Sequence, residues 1–310
     1  MFVAQAALQQ EILPRLSVDV SWNRRSWGNF FVTDNMAVLP SDYTQVSLTA
    51  PQSAKLPDGG GYPVLFNVRN TNRTTIGATD NYYTSADDYG DWISYWEGVD
   101  FSVNARMRSG LVLQGGFSTG AGHRDQCEVT EKVPELLALN FPFVTQQISS
   151  CKYDEPWMAT YRGLATYTIP KIDVLISATG RSTPNVQPDA GGTLVGTNGA
   201  SLQANLNAGS PGTPPISGGS LAIGVPFQGV NMVTQGQLYG ERVNALDLRF
   251  GKILRFGRTR SNVAIDLYNV FNANTGTAFN QAFGTDGATF LRPTAILNPR
   301  FVRFNLTFDF

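Results

Sequence analysis

The last eleven residues, Arg300 to Phe310, constrain the fold most. They read Arg-Phe-Val-Arg-Phe-Asn-Leu-Thr-Phe-Asp-Phe. Val302, Phe304, Leu306, Phe308 and Phe310 share one parity, and Arg303, Asn305, Thr307 and Asp309 share the other. Successive side chains on a strand point to opposite faces, so this segment predicts a strand with one apolar and one polar, partly charged face. It runs to a terminal Phe, whereas chain termini are usually polar and frayed.

The same alternation recurs in pairs. Val99, Phe101, Val103, Ala105 and Met107 alternate with Asp100, Ser102, Asn104 and Arg106; Arg108-Ser109-Gly110 turns the chain into Leu111, Leu113, Gly115 and Phe117. Tight Gly- or Pro-containing turns of this kind mark hairpins. A second unit turns at Leu13-Pro14-Arg15 into Leu16, Val18, Val20 and Trp22. A third turns at Pro170-Lys171 into Ile172, Val174, Ile176 and Ala178. A fourth runs from Leu246, Leu248 and Phe250 through Phe256-Gly257-Arg258 into Val263, Ile265 and Leu267. Four tight turns thus alternate with four long connections, near residues 31–88, 124–155, 184–235 and 273–298.

That asymmetry favours a membrane setting. Structureless connections above ~12–15 residues are uncommon in compact domains, yet all four long ones fall at the same end of the sheet. Outer-membrane barrels have short periplasmic turns and long extracellular loops. The expected fold class is all-β: an antiparallel transmembrane β-barrel segment of about nine strands with long extracellular loops. A soluble sandwich has no reason to gather its loops at one end. An odd strand count leaves open edges, which in lipid would strand backbone polar groups, so further strands are expected.

Composition narrows the function. The formal net charge is −1 and only 15% of the 310 residues are charged, against an average of about 25%. There is no basic footprint, so nucleic acid is not expected as a partner. No apolar run reaches the ~20 residues of a membrane helix, which leaves a barrel of ~10-residue alternating strands untouched. The first residues, Met-Phe-Val-Ala-Gln-Ala-Ala-Leu-Gln-Gln, lack the basic and apolar regions of a secretory signal. Cys127 and Cys151, the two cysteines, lie in one long connection and predict a disulfide in an oxidising compartment.

The stretch Leu246-Asp247-Leu248-Arg249-Phe250-Gly251-Lys252, followed by Val263-Ala264-Ile265-Asp266-Leu267-Tyr268-Asn269-Val270-Phe271-Asn272, resembles the end of TonB-dependent outer-membrane receptors. Arg292-Pro293, shortly before the terminal strand, fits their penultimate loop. The resemblance is greatest to the branch carrying a carboxypeptidase-regulatory-like domain. It implies a barrel of about 22 strands with a plugged lumen, an energy-transducing partner (TonB) reached through a box upstream, and import of a bulky solute such as a siderophore or oligosaccharide. This sequence holds no candidate for plug, box or signal. Residues 1–310 are therefore expected to be the C-terminal barrel part of such a receptor in the bacterial outer membrane, with lipid, the plug and the remaining strands as partners. A passive porin or surface adhesion barrel is the alternative, and a membrane-embedded hydrolase a weaker one. The sequence does not name the solute.

Candidate site residues follow from parity and composition. Asp100, Asn104, Arg106, Asp247, Arg249, Asp266, Arg303 and Asp309 are expected on the lumen-facing side. Tyr82, Tyr83, Tyr89, Trp92, Tyr95 and Trp96 form the densest aromatic group; it could be an interfacial girdle, loop packing or a ligand platform. Trp92 and Trp96 share the parity of Asp100, which favours ligand contact over a girdle for those two, and Tyr89 is grouped with them as a candidate ligand contact. His123, the sole histidine, has Asp125 close in sequence but no spacing that defines a catalytic triad, so no enzyme activity and no cofactor are expected. Asp80, Asp87, Asp88 and Asp91 cluster in one connection without calcium-loop spacing. The segment from Pro184 to Pro215 carries little apolar material and reads as a mobile surface loop; its Gly191-Gly192, like Gly218-Gly219, is no phosphate cradle.

Overall fold

Strands form where alternation is sustained and stop where Pro, Gly or left-handed residues interrupt it. The computed structural model describes residues 1–69, 78–140, 144–185, 204–209, 212–217, 228–256 and 259–309. Its frame is nine long strands: β1 (Phe2–Leu13), β2 (Leu16–Trp27), β3 (Ile93–Arg106), β4 (Leu111–Asp125), β5 (Thr160–Ile169), β6 (Val174–Asn185), β7 (Gly240–Phe256), β8 (Thr259–Tyr268) and β9 (Phe301–Asp309). They pair in chain order, each antiparallel to the next, and the sheet stays open. The outer edges of β1 and β9 have no strand partner among the described residues. The fold is thus all-β and antiparallel, as alternation predicts. No described helix is long and apolar enough to cross a membrane.

Left-handed residues shape the tight turns, with Arg15 at φ 73° and Gly110 at φ 88°. The third turn is longer than its Pro170-Lys171 signal suggests. Lys171 and Asp173 both take positive φ, so Ile172 belongs to the turn and β6 starts at Val174.

Register fixes the two faces. Leu111, Tyr167, Ile176, Phe250, Ile265 and Phe304 form one unbroken cross-strand row over six strands. A slip of one residue on any strand would turn its apolar set onto the polar face. The apolar face is uncovered: Phe250 is 46% exposed, Ile265 43% and Phe304 77%.

The buried core lies elsewhere. Of the nine strands, only Ala105, Ala245 and Ala264 supply fully buried apolar residues among those described. The rest sit in the four long connections, which are not structureless. Tyr43–Thr49 pairs with Pro63–Arg69, and Ile216–Ser217 joins them. Asn205–Ala208, Gln228–Asn231, Val144–Gln146 and Ala138–Asn140 form a second small sheet from two different connections. Val46, Leu48, Phe66, Leu206, Met232 and Phe283 then share one hydrophobic core. Lys55 of the first connection donates to the carbonyls of Gly287 (3.1 Å) and Phe290 (2.7 Å) in the last. The long connections are therefore a packed cap at one end of the sheet.

This corrects the reading of Pro184–Pro215 as one mobile loop. Ala204, Leu206 and Ala208 are fully buried in the cap, because other connections lend the apolar surface this one lacks. Residues 186–203, including Gly191-Gly192, lie outside the described residues, as do Gly218-Gly219, Gly257 and Phe310.

Phe66→Ala is expected to destabilise the cap by roughly 3–5 kcal/mol, the usual range for a buried Phe truncation. Hydrogen exchange should show faster opening of Tyr43–Thr49 and Pro63–Arg69 with β7, β8 and β9 unchanged.

Candidate functional site

The polar face of the sheet and its junction with the cap hold the functional candidates. On that face Ser177, Arg249, Asp266 and Arg303 form one cross-strand row. Arg249 Nε lies 2.8 Å and Arg303 Nη2 3.7 Å from the Asp266 carboxylate, and Asn305 Nδ2 donates to it at 2.5 Å. Asp266 is only 6% exposed, so two cations and an amide compensate one buried anion, the arrangement a buried charge requires. Asp100, Asn104 and Arg106 share this face in β3. Asp100 accepts from Asn23 Nδ2 at 3.0 Å, and Asp247 accepts from the Asn269 backbone N–H at 2.8 Å. Asp309 lies opposite Arg260 in register.

Asn269 explains the Tyr-Asn-Val-Phe-Asn stretch that ends β8. It holds φ 48°, donates to the carbonyls of Ala273 (2.9 Å) and Asn298 (2.8 Å), and accepts from the Ala273 N–H. Asn272, at φ 52°, accepts from the Arg300 N–H at 2.9 Å. Short amide side chains tolerate left-handed backbone and satisfy local polar groups. Together they fasten the last connection to the start of β9.

The aromatic group divides. Trp96 lies in β3, and its ring covers Gly98 and Gly120 on the polar face; a Cβ on Gly120 would come within 2.4 Å of the ring. Trp92 precedes the strand, so the parity argument does not reach it. It stacks on Phe30 at 4.5 Å inside a small core with Val32, Ala86 and Val129. Tyr89 joins that core and donates to Asp34 at 2.6 Å. Tyr82 and Tyr83 sit on a cap strand (Asn81–Ser85), with Tyr83 stacked on Phe31. These four belong to the cap; Phe101, Phe117 and Tyr161 form a separate aromatic row on the sheet. Those rings run side by side over β3, β4 and β5 on the apolar face. Nothing in their local sequence distinguished them from other apolar positions; only the cross-strand register aligns them.

Above this aromatic row the same face turns polar. Arg24 pairs with Glu97 at 3.5 Å and sits 4.3 Å over the Tyr95 ring. Tyr95 stacks on His123, and the His123 imidazole contacts the Asp154 carboxylate. The neighbour in sequence, Asp125, instead pairs with Lys152 at 2.9 Å. No local sequence signal identifies Asp154 as the partner, because the pairing of Lys152–Asp154 with β4 is non-local.

Cys127 and Cys151 form the expected disulfide. Just beyond it, Glu155 is 7% exposed; its carboxylate accepts from the Gly122 N–H at 3.0 Å and its own N–H donates to the Gly122 carbonyl at 2.8 Å. Burial pushes the Glu155 carboxyl up from its ordinary 4.5 to about 7. Arg124 stands nearby, 4.7 Å over the Tyr153 ring. Of the acidic cluster, Asp88 accepts from the Thr84 hydroxyl, and no group of three metal-type donors occurs among the described residues.

No family model and no curated relative matches this chain. Among solved structures it is similar to the outer membrane transporter YddB from Escherichia coli, at 9% identity and a TM-score of 0.46, over 98% of this chain and 32% of that one. The chain therefore spans about a third of that protein's length.

The raised Glu155 carboxyl sets a pH dependence. Folding favours the protonated acid, so its contribution is complete below pH 4.5 and is lost as pH rises through about 7. Amide exchange at Gly122 and Glu155 should accelerate, beyond its intrinsic pH dependence, from pH 5 to 8, and Glu155→Gln should remove that excess. A separate expectation concerns Asn269. Asn269→Leu should cost roughly 2–4 kcal/mol through a strained left-handed backbone and unpaired carbonyls, read as early thermal release of residues 273–298.

Proposed function

We propose that this sheet is part of the wall of an outer-membrane β-barrel receptor of the TonB-dependent type, which imports a bulky solute. One observation carries the reading: an apolar row over six strands is left uncovered, while the cap in the same chain buries its apolar residues fully. A sequence able to build a dry core has no reason to expose Phe250, Ile265 and Phe304 to water. Hydrocarbon supplies the cover.

The dimensions agree. On β5 the apolar-face residues run from Tyr161 to Ile169, roughly 26 Å of strand at the usual rise. Tilted as barrel strands are, this spans about 20 Å, close to the apolar band of such barrels. Arg24, Glu97 and Arg242 collect at its upper limit, with Arg242 5.7 Å over the Tyr161 ring.

In this reading the cap is extracellular, the tight turns are periplasmic, and the polar face lines the lumen. The two free sheet edges call for further strands, supplied with a plug and a TonB-contacting box by the rest of the receptor. A cap with a shared core supports a mouth that opens for a ligand over a permanently open pore.

Phe304→Arg places a cation on the lipid face and is expected to cost roughly 2–4 kcal/mol if near the membrane midplane. The folded, heat-modifiable band in outer-membrane fractions should fall sharply. Thr307→Arg, on the other face of the same strand, should leave it intact. Equal tolerance of both would reject the membrane reading.

A further inference from the structure

On the polar face, Ser102, Gly116, Arg162, Arg181 and Ala245 form one cross-strand row over β3 to β7. Arg162 and Arg181 are directly opposite each other, a like-charge arrangement that destabilises a sheet unless something compensates it. Both side chains are exposed. Among the described residues neither forms an ion pair, and their row neighbours, Gly116 and Ala245, cannot supply a carboxylate. Asp100, one strand row away on β3, is already held by Asn23.

Elsewhere on the same face several arginines stand beside acids. Arg249 and Arg303 flank Asp266. Asp173 lies 3.3 Å from Arg255. The Arg162–Arg181 pair lacks such an acid. Both arginines line an open depression of about 870 Å³, together with the hydroxyls of Ser118, Thr160, Thr179 and Thr183 and the Asn23-bound Asp100. Gly116 forms its floor, and a Cβ there would strike the Phe101 carbonyl at 1.9 Å, so the wall beside the two guanidiniums stays bare.

We propose that Arg162 and Arg181 form a twin-guanidinium site for an oxyanion carried by the solute that crosses the lumen. This rests on the barrel reading above. Two planar forks on adjacent strands stand about 5 Å apart at their Cα atoms, the separation of the two ends of a small dianion. Guanidiniums bind carboxylate and phosphate oxygens with two parallel N–H donors each, and the threonine and serine hydroxyls add neutral donors around them. The site therefore selects acidic solutes over neutral ones of the same size.

The test titrates pyrophosphate and succinate onto the detergent-extracted protein by calorimetry, with neutral sorbitol as the control. Wild type is expected to bind both anions, more weakly as salt rises, and not sorbitol. R162Q and R181Q should each weaken binding about tenfold or more, and the double variant should abolish it. R162K/R181K, which keeps charge but loses the fork, should fall between. Failure of wild type to bind either anion, or unchanged binding by the double variant, overturns the proposal. Absent anion binding with a lowered melting temperature in the double variant also overturns it, assigning the pair to a carboxylate within the receptor. The heat-modifiable band of each variant is scored in parallel, so loss of the anion site with intact membrane assembly leaves the barrel reading standing.

Discussion

Cross-strand register is the constraint on which the structure depends. Nine strands pair in chain order, and every pairing keeps the apolar parity on one side. Because the side-chain period is two, a single slip would put Phe250 or Ile265 against Asp266 and Arg249. The ion-pair row Arg249–Asp266–Arg303 locks the register of β7, β8 and β9 from the polar side. Phe250–Ile265–Phe304 lies along the same strands from the other. Two faces with opposite chemistry thus specify one alignment, and that alignment produces one continuous apolar surface and one polar, charged surface.

The cap solves a different problem by a different route. Apolar residues from several long connections are pooled, which offsets the cost of ordering them. Val46 and Phe66 from the first connection, Leu206 and Met232 from the third, and Phe283 and Phe290 from the last meet in one core. The disulfide and the Asn269 clasp then tie two connections to the ends of their strands. The cap is consequently a non-local structure held over a local one, since each hairpin below it closes through a turn of a few residues.

That difference explains what the sequence reveals. Strands, faces and tight turns are legible because alternation and turn residues act within ten or so positions. The parity of Trp96, Asp100 and Asp266 is legible for the same reason. The cap is not: Leu206 in a Gly- and Asn-rich stretch carries no local sign that it will share a core with Phe66. Trp92 lies one residue before β3 begins, so alternation does not set its direction. Asp154 as the partner of His123, and the bare Arg162–Arg181 pair, emerge only once β4, β5 and β6 are aligned.

The most direct measurement is oxygen and nickel-chelate accessibility of spin labels placed along the two faces. Both native cysteines are tied in the disulfide, so single cysteines at Ile176, Phe250, Ile265 and Phe304, and at Ser177, Thr179 and Thr307, can be labelled selectively after reconstitution in liposomes. Labels in the first set should favour apolar oxygen, and those in the second should favour the polar chelate, alternating along each strand. Equal chelate access on both faces would contradict the account.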